Sequence, residues 1–355
     1  MVVSEDRFEK QLVSVLYSPK HLGYETRPVP VPGPGQVLIR VSAVGVCGSD
    51  VHYYNHGRIG DFVVEKPLVL GHEVSGVIAA VGDGVAAERI GSLVTLEPQV
   101  TNHWGEQSRQ GRYNLDPEVE FFATPPFDGA LCEYVLLPSQ LAFDVPPVLS
   151  AEEAALIEPL AVAVASVRHA RVGLGERVAV AGAGPIGLLA AQVARLAGAV
   201  DVVVSDPLQS ARDRALRFGA TSVLDPVGAR ESFRDSSFDV FIDASGVEAA
   251  IVAGVRALKP AGRAMLVGMG ADTVSLPLGL LQVRELEVRG VFRYANAWPA
   301  AIDLAATGAV SLSELITARY GLDQVEEALQ AAQRPGEVKV VVIPKGHCGQ
   351  WAAEG

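Results

Sequence analysis

Two hydrophobic textures alternate along the chain. Up to about residue 150, short β-branched runs stand between Gly- and Pro-rich stretches: residues 36–44 read QVLIRVSAV and Leu93–Leu96 read LVTL. Such runs, broken by turn residues, predict an antiparallel β region with long loops. From Glu153 onward Ala-rich helical stretches alternate with apolar strands. Strands are predicted at Arg177–Ala181, Asp201–Ser205, 238–244, 263–267 and 286–292. Helices are predicted at Pro185–Leu196, 210–218 and 247–258. Strand and helix in alternation predict a parallel sheet covered on both faces. Further on come helices near Trp298–Ala306 and 324–333 and a strand at Lys339–Ile343, late enough to return to the first domain. The expected fold class is α/β: a β-rich domain plus a doubly wound parallel sheet.

Composition narrows the setting. With 355 residues the chain suits two domains, and 49% hydrophobic against 20% charged residues suffices for sizeable cores. Twenty-nine Lys and Arg against 41 Asp and Glu give a formal charge of -12. That charge repels nucleic acid and anionic lipid, so neither is an expected partner. Cys47, Cys132 and Cys348 are too few and too scattered for a disulfide framework. The first twenty residues lack an apolar secretory core, and residues 151–167 are interrupted by Glu152, Glu153 and Glu158. A soluble cytoplasmic protein is expected.

Gly182-Ala183-Gly184-Pro185-Ile186-Gly187 is a G-x-G-x-x-G directly after a predicted strand and opening a predicted helix. The first glycine permits a tight turn, the second lets the backbone approach a pyrophosphate, and the third allows close helix–strand packing. Asp206 ends the next strand, about 20 residues on, where a carboxylate accepts hydrogen bonds from the adenosine ribose hydroxyls and repels a 2′-phosphate. NAD is therefore expected over NADP. Arg212, a little further along, is read as a helix-surface arginine near the adenine.

Three segments of the first half carry soft or titratable groups: residues 45–53 (GVCGSDVHY), Gly71-His72-Glu73, and Glu158-Pro159. Cys, His and Glu supply the thiolate, imidazole and carboxylate that zinc accepts. Zinc would stabilise an alkoxide as a Lewis acid so that it expels hydride. Ser49 could take the alcohol proton and pass it along the cofactor ribose to His52.

The chain at this point resembles a known family. Gly71-His72-Glu73-x-x-Gly76, followed by Gly82 and Val85, is similar to the zinc signature of medium-chain alcohol dehydrogenases. The run Cys47 to Tyr54, then Gly57-Arg58-Ile59-Gly60, resembles the sorbitol/xylitol (polyol) dehydrogenase branch. So do Phe121-Phe122-Ala123-Thr124-Pro125-Pro126, Leu156-Ile157-Glu158-Pro159-Leu160 and Val291-Phe292-Arg293-Tyr294. The resemblance implies a GroES-like catalytic domain over residues 1–158 and 295–355, and a Rossmann domain over 159–294. It implies one catalytic zinc on Cys47, His72 and Glu73, with Glu158 beside the metal either as a ligand or through water and substrate. Tyr53, Phe122, Arg293 and Tyr294 would line the polyol site. Gly182, Gly184, Pro185, Ile186, Gly187, Asp206, Arg212, Val267, Gly268, Met269, Val291, Phe292 and Arg293 would hold NAD. A homotetramer is implied as well.

In one loop the chain departs from its relatives. Many of them carry a second, structural zinc on four cysteines. The matching places here are Asn102, Gly105, Ser108 and Asp116. No cysteine stands at any of them, so no structural zinc is expected, and the loop must be held by packing and hydrogen bonds. The rival readings are another zinc dehydrogenase, acting on threonine or a simple secondary alcohol, and a non-catalytic NAD-binding redox sensor. The Phe122 and Arg293-Tyr294 segments argue against the first. Intact Cys47, His72, Glu73 and Ser49 argue against the second.

Overall fold

The computed structural model describes residues 9–227 and 233–344; Cys348 lies outside the described residues. The chain divides into two compact units, one of Met1–Glu158 with Leu312–Gly355, the other of Pro159–Ser311.

The first unit is built on a seven-stranded sheet. Its central strand, Gln36–Gly45, is buried along almost its whole length, because it is paired on both edges. Along one edge it runs antiparallel to Glu73–Val81, with Val44 opposite Val74 and Gly45 opposite Glu73. Along the other it pairs with Tyr134–Pro138 near its start and with Lys339–Ile343 near its end, where Val341 lies opposite Gly45. The late strand thus returns to the first unit. Ile316–Gly321 runs parallel to it, and the helix Val325–Ala331 forms the crossover that a parallel pair needs. That helix turns Val325, Ala328 and Leu329 into the core with Ile39, Leu70, Leu96 and Leu131. The consequence for function is local. Residues far apart in the chain arrive together at one end of the central strand.

The second unit holds a six-stranded sheet in the order Ser222–Leu224, Asp201–Ser205, Arg177–Ala181, Phe238–Asp243, Leu258–Leu266, Glu287–Gly290. Every pair is parallel. This is the doubly wound order, in which the chain reverses direction of build between the first and fourth strands in sequence. The crevice at such a switch point lies at the carboxyl ends of the strands, where a dinucleotide binds. Helix Pro185–Leu196 leaves the first strand at that point, with proline in its first turn and eight consecutive buried residues, so that its middle is enclosed on all sides.

The boundary expected after Tyr294 lies later, between Ser311 and Leu312. Segment 295–311 belongs to the second unit because its anchors point there. Trp298 is fully buried and its ring lies 4.9 Å from that of Tyr294. Asn296 O accepts from Arg168, and Ser311 N donates to Gln192 Oε1 at 2.8 Å. Among the described residues no helix is long and apolar enough to cross a membrane.

Candidate metal centre and dinucleotide loop

The metal centre is assembled at the end of the central strand of the first unit. Cys47 is the residue before the helix Gly48–His56, in an extended conformation. The buried carboxylate of Asp50, in the first turn of that helix, ties the segment down. Its Oδ2 accepts from Cys47 N at 3.0 Å and its Oδ1 from Gly71 N at 2.9 Å. One carboxylate therefore fixes the thiol-bearing turn against the segment that carries His72, whose Nδ1 lies 3.8 Å from Asp50 Oδ1. His72 is buried against Phe121, with ring centroids 5.4 Å apart. Glu73 opens its strand opposite Gly45, and a Cβ at Gly45 would stand 2.0 Å from Glu73 Oε2. Glycine is required there so that the carboxylate can lie over the neighbouring strand.

One ligand atom each from Cys47, His72 and Glu73 lies within 4.8 Å of the others. Thiolate, imidazole and carboxylate at this spacing form a donor set suited to zinc, so the residues present fit that metal. The electrostatics agree. Burial, and then the Glu73 carboxylate, push the Cys47 thiol up to about 11, so the metal-free thiol is neutral near pH 7. A divalent cation would displace that proton. Burial also raises the Asp50 carboxyl, opposed by His72.

A fourth group was not legible in the sequence. Lys339, 3% exposed on the returning strand, donates from Nζ to Glu73 Oε1 at 2.6 Å, to Glu73 Oε2 at 2.8 Å and to Val46 O at 3.1 Å. Burial lowers the Lys339 ammonium, and Glu73, Cys47 and Glu158 more than reverse this, leaving it above its ordinary value. Each Glu73 oxygen keeps a lone pair for a cation while it accepts from the lysine. Glu158, 5% exposed in the first turn of the helix Ile157–Ala170, lies close enough to contribute to the same field.

Ser49 is half-buried in the first turn of the helix that Cys47 precedes, and its hydroxyl tempers the rise of the Cys47 thiol. His52, on the same helix, is exposed, its Nδ1 2.8 Å from Arg58 O. Tyr53 is buried in the core of the first unit and Phe122 packs half-buried against it. In loop 102–116, Ser108 Oγ donates to Asp116 Oδ2 at 2.7 Å, and Gly105 packs so tightly on that carboxylate that a Cβ would meet Oδ2 at 1.9 Å. Three of the four places matched to the relatives' cysteines thus converge on one carboxylate, held below its usual range by the Ser108 hydroxyl.

In the second unit the glycine loop has the geometry that its spacing predicts. Gly182 has φ +94°, a left-handed conformation, and donates its N–H to Ser205 O at 2.8 Å. At Gly187 a Cβ would stand 1.9 Å from Gly182 O, so the helix can approach the turn only without one. At exposed Gly184 a Cβ would meet nothing within 4 Å, so the backbone beside Pro185 and Ile186 is open to a ligand at the helix N-terminus. These features fit a dinucleotide pyrophosphate. Asp206 Oδ2 accepts from Ala183 N at 2.9 Å and Oδ1 from Leu208 N at 2.9 Å, which places the carboxylate beside the loop.

Arg212 differs from its expected place on the helix surface. It is 7% exposed, because its guanidinium is drawn inward by backbone carbonyls and by Asp225. Val267 N and Gly268 N both donate to Asp243 O, and Met269 beside them is exposed. The buried Asp243 carboxylate, another group missed in the sequence, accepts from Ser245 and Gly246 and braces this strand end. Val291 N donates to Leu266 O, continuing the sheet edge. Phe292 is exposed with the Arg293 guanidinium 4.5 Å from its ring centroid, Arg293 has φ +56°, and Tyr294 is buried against Trp298.

Comparison with known proteins agrees with this geometry. Residues 33–147 match the model of the alcohol dehydrogenase GroES-like domain and residues 185–307 that of the zinc-binding dehydrogenase. The chain is 41% identical over 341 residues to sorbitol dehydrogenase of Gallus gallus, covering 94% of this chain and 96% of that one. It is 39% identical over 338 residues to sorbitol dehydrogenase of Homo sapiens, covering 92% and 94%. Among solved structures, L-idonate 5-dehydrogenase of Escherichia coli superposes with a TM-score of 0.89 at 26% identity, covering 94% and 98%. A zinc-binding dehydrogenase of Sinorhizobium meliloti bound to NADP superposes with a TM-score of 0.87 at 31% identity, covering 94% and 99%.

Proposed function

Because this chain belongs to the zinc-dependent medium-chain dehydrogenases, in their polyol dehydrogenase branch, we propose that it transfers hydride from a secondary hydroxyl of a polyol such as sorbitol or xylitol to NAD, giving a ketose. The observation that carries the proposal is the convergence of Cys47, His72 and Glu73 within 4.8 Å. Zinc bound there would supply Lewis acidity to the reacting hydroxyl. The chain's own residues do the rest. Asp50 orients the thiol and the histidine segment, and Lys339 fixes the Glu73 carboxylate. Ser49 would take the hydroxyl proton, and exposed His52 would release it to water. Glu158 would stand beside the metal, and half-buried Phe122 would contribute to the polyol site from the first unit. The 182–187 loop would receive the pyrophosphate, residues 267–269 and 291–293 would attend the nicotinamide half, and Asp206 would hold the adenosine ribose.

The same reading assigns one zinc per chain, none in loop 102–116, and a homotetrameric assembly. A panel of polyols assayed for NAD reduction tests it, with threonine and propan-2-ol as controls. Turnover confined to polyols supports the assignment. Turnover of threonine or propan-2-ol with none of any polyol overturns it.

A further inference from the structure

Asp206 and Asp225 follow adjacent parallel strands in which Ser205 pairs with Leu224, so the two residues leave the sheet side by side. Asp206 N donates to Leu224 O, which fixes the two strand ends together. Arg212, on the helix Gln209–Arg217 that follows the Asp206 turn, is buried between them. Its Nη2 lies 2.9 Å from Asp225 Oδ2 and donates to Gln209 Oε1 at 2.7 Å. Its Nη1 donates to Asp206 O at 2.6 Å and Pro207 O at 2.9 Å. Asp225 is itself held, its Oδ1 accepting from Val227 N at 3.0 Å. The Asp206 carboxylate is fixed independently, by Ala183 N and Leu208 N.

The trio has a consequence for cofactor choice. An arginine a few residues past this strand end is the group that a 2′-phosphate would recruit, being a charged fork suited to phosphate. Here that fork is already occupied by a carboxylate. Two carboxylates and one guanidinium leave one net negative charge at the adenosine end, opposed to a phosphate carrying about -1.5 to -2. Neutralising Asp225 would remove the charge and release part of the guanidinium in a single step.

We propose that Asp225 is a second determinant of cofactor specificity, which holds Arg212 away from a 2′-phosphate and, by neutralising the guanidinium, preserves the negative charge that Asp206 presents. The proposal rests on the reading that Asp206 holds the adenosine ribose of NAD. It divides the discrimination between the two acids. Replacing Asp206 alone weakens NADH without gaining NADPH, because the Asp225–Arg212 pair stays closed. Replacing Asp225 alone admits NADPH.

The test is direct titration of the purified protein with NADH and NADPH, followed by cofactor fluorescence and therefore independent of turnover. The wild type should bind NADH at least about tenfold more tightly than NADPH. Asp225→Asn should raise NADPH affinity about tenfold, the scale of one unit charge near a partly screened phosphate, while NADH affinity moves far less. NADH binding reports that the variant is folded. Asp206→Asn/Asp225→Asn should prefer NADPH, and Arg212→Gln added to Asp225→Asn should cancel the gain. If Asp225→Asn does not fold, Arg212→Gln alone gives the converse reading, with NADPH affinity falling further below the wild type. Wild-type discrimination with NADPH affinity unchanged in Asp225→Asn, or in Arg212→Gln, overturns the proposal and leaves the Asp206 reading standing. Equal wild-type affinities for the two cofactors overturn both.

Discussion

The Lys339 ammonium grips both carboxylate oxygens of Glu73, at 2.6 and 2.8 Å, across 266 residues of sequence. Both groups are almost wholly removed from water, 3% and 1% exposed. A charge pair this deeply buried is worth little against an apolar replacement of both partners, but breaking it from one side strands a charge. The pair therefore serves to hold the Glu73 side chain in one orientation, where a cation can meet it.

Lys339→Met should accordingly destabilise the metal-free protein by about 3–5 kcal/mol, as expected for one partner removed from a buried ion pair. Zinc affinity should fall as well, because the carboxylate is no longer held in its ligating orientation. Lys339→Arg should recover part of both losses. Denaturant unfolding and zinc titration measure the two effects. A Lys339→Met protein as stable as the wild type, with unchanged zinc affinity, contradicts this role.

Gly187→Ala should abolish dinucleotide binding, because its Cβ would stand 1.9 Å from Gly182 O and push the helix off the turn. Gly184→Ala, with nothing within 4 Å of its Cβ, should leave stability unchanged and weaken only the cofactor that approaches this backbone. NADH titration and thermal melting separate the two cases. Equal stability losses in both variants would remove the loop argument.

Cys132 offers a test of pH dependence away from the metal. Burial pushes its thiol up to about 12, above the unfolded value of 9.0. The folded state then retains a proton that the unfolded state loses. This contribution is fully present below pH 9 and is lost as pH rises from there toward 12, at about 1.4 kcal/mol per pH unit. In metal-free protein, the wild type should lose stability more steeply than Cys132→Ala over that window, by denaturant unfolding. Parallel curves would show that the thiol is not shielded.

The parts of the molecule written in local patterns were legible in the sequence. Alternating apolar strands and Ala-rich helices around Gly182 to Asp206 specify a strand, a tight turn and a helix within a few residues, so the loop could be placed before its geometry was known. The donors Cys47, His72 and Glu73 stand in short motifs, and the family resemblance singled them out. Lys339 was not legible, since a lysine opening the apolar run KVVVI reads as the polar edge of a strand. Only the pairing of Val341 with Gly45 brings it to the centre. Asp225 and Arg212 likewise meet because neighbouring parallel strands end together, a relationship with no local signature. The boundary near Tyr294 was misplaced for a similar reason. The apolar face of Trp298–Ala306 says that the helix is buried, but not in which core.

Metal analysis of the purified wild type and of Cys47→Ala, read beside polyol-dependent NAD reduction and NADH binding, tests the central claim most directly. The account predicts about one zinc per chain in the wild type. It predicts loss of that zinc and of turnover in Cys47→Ala, with NADH still bound. Full turnover in a Cys47→Ala protein that holds no zinc would contradict it.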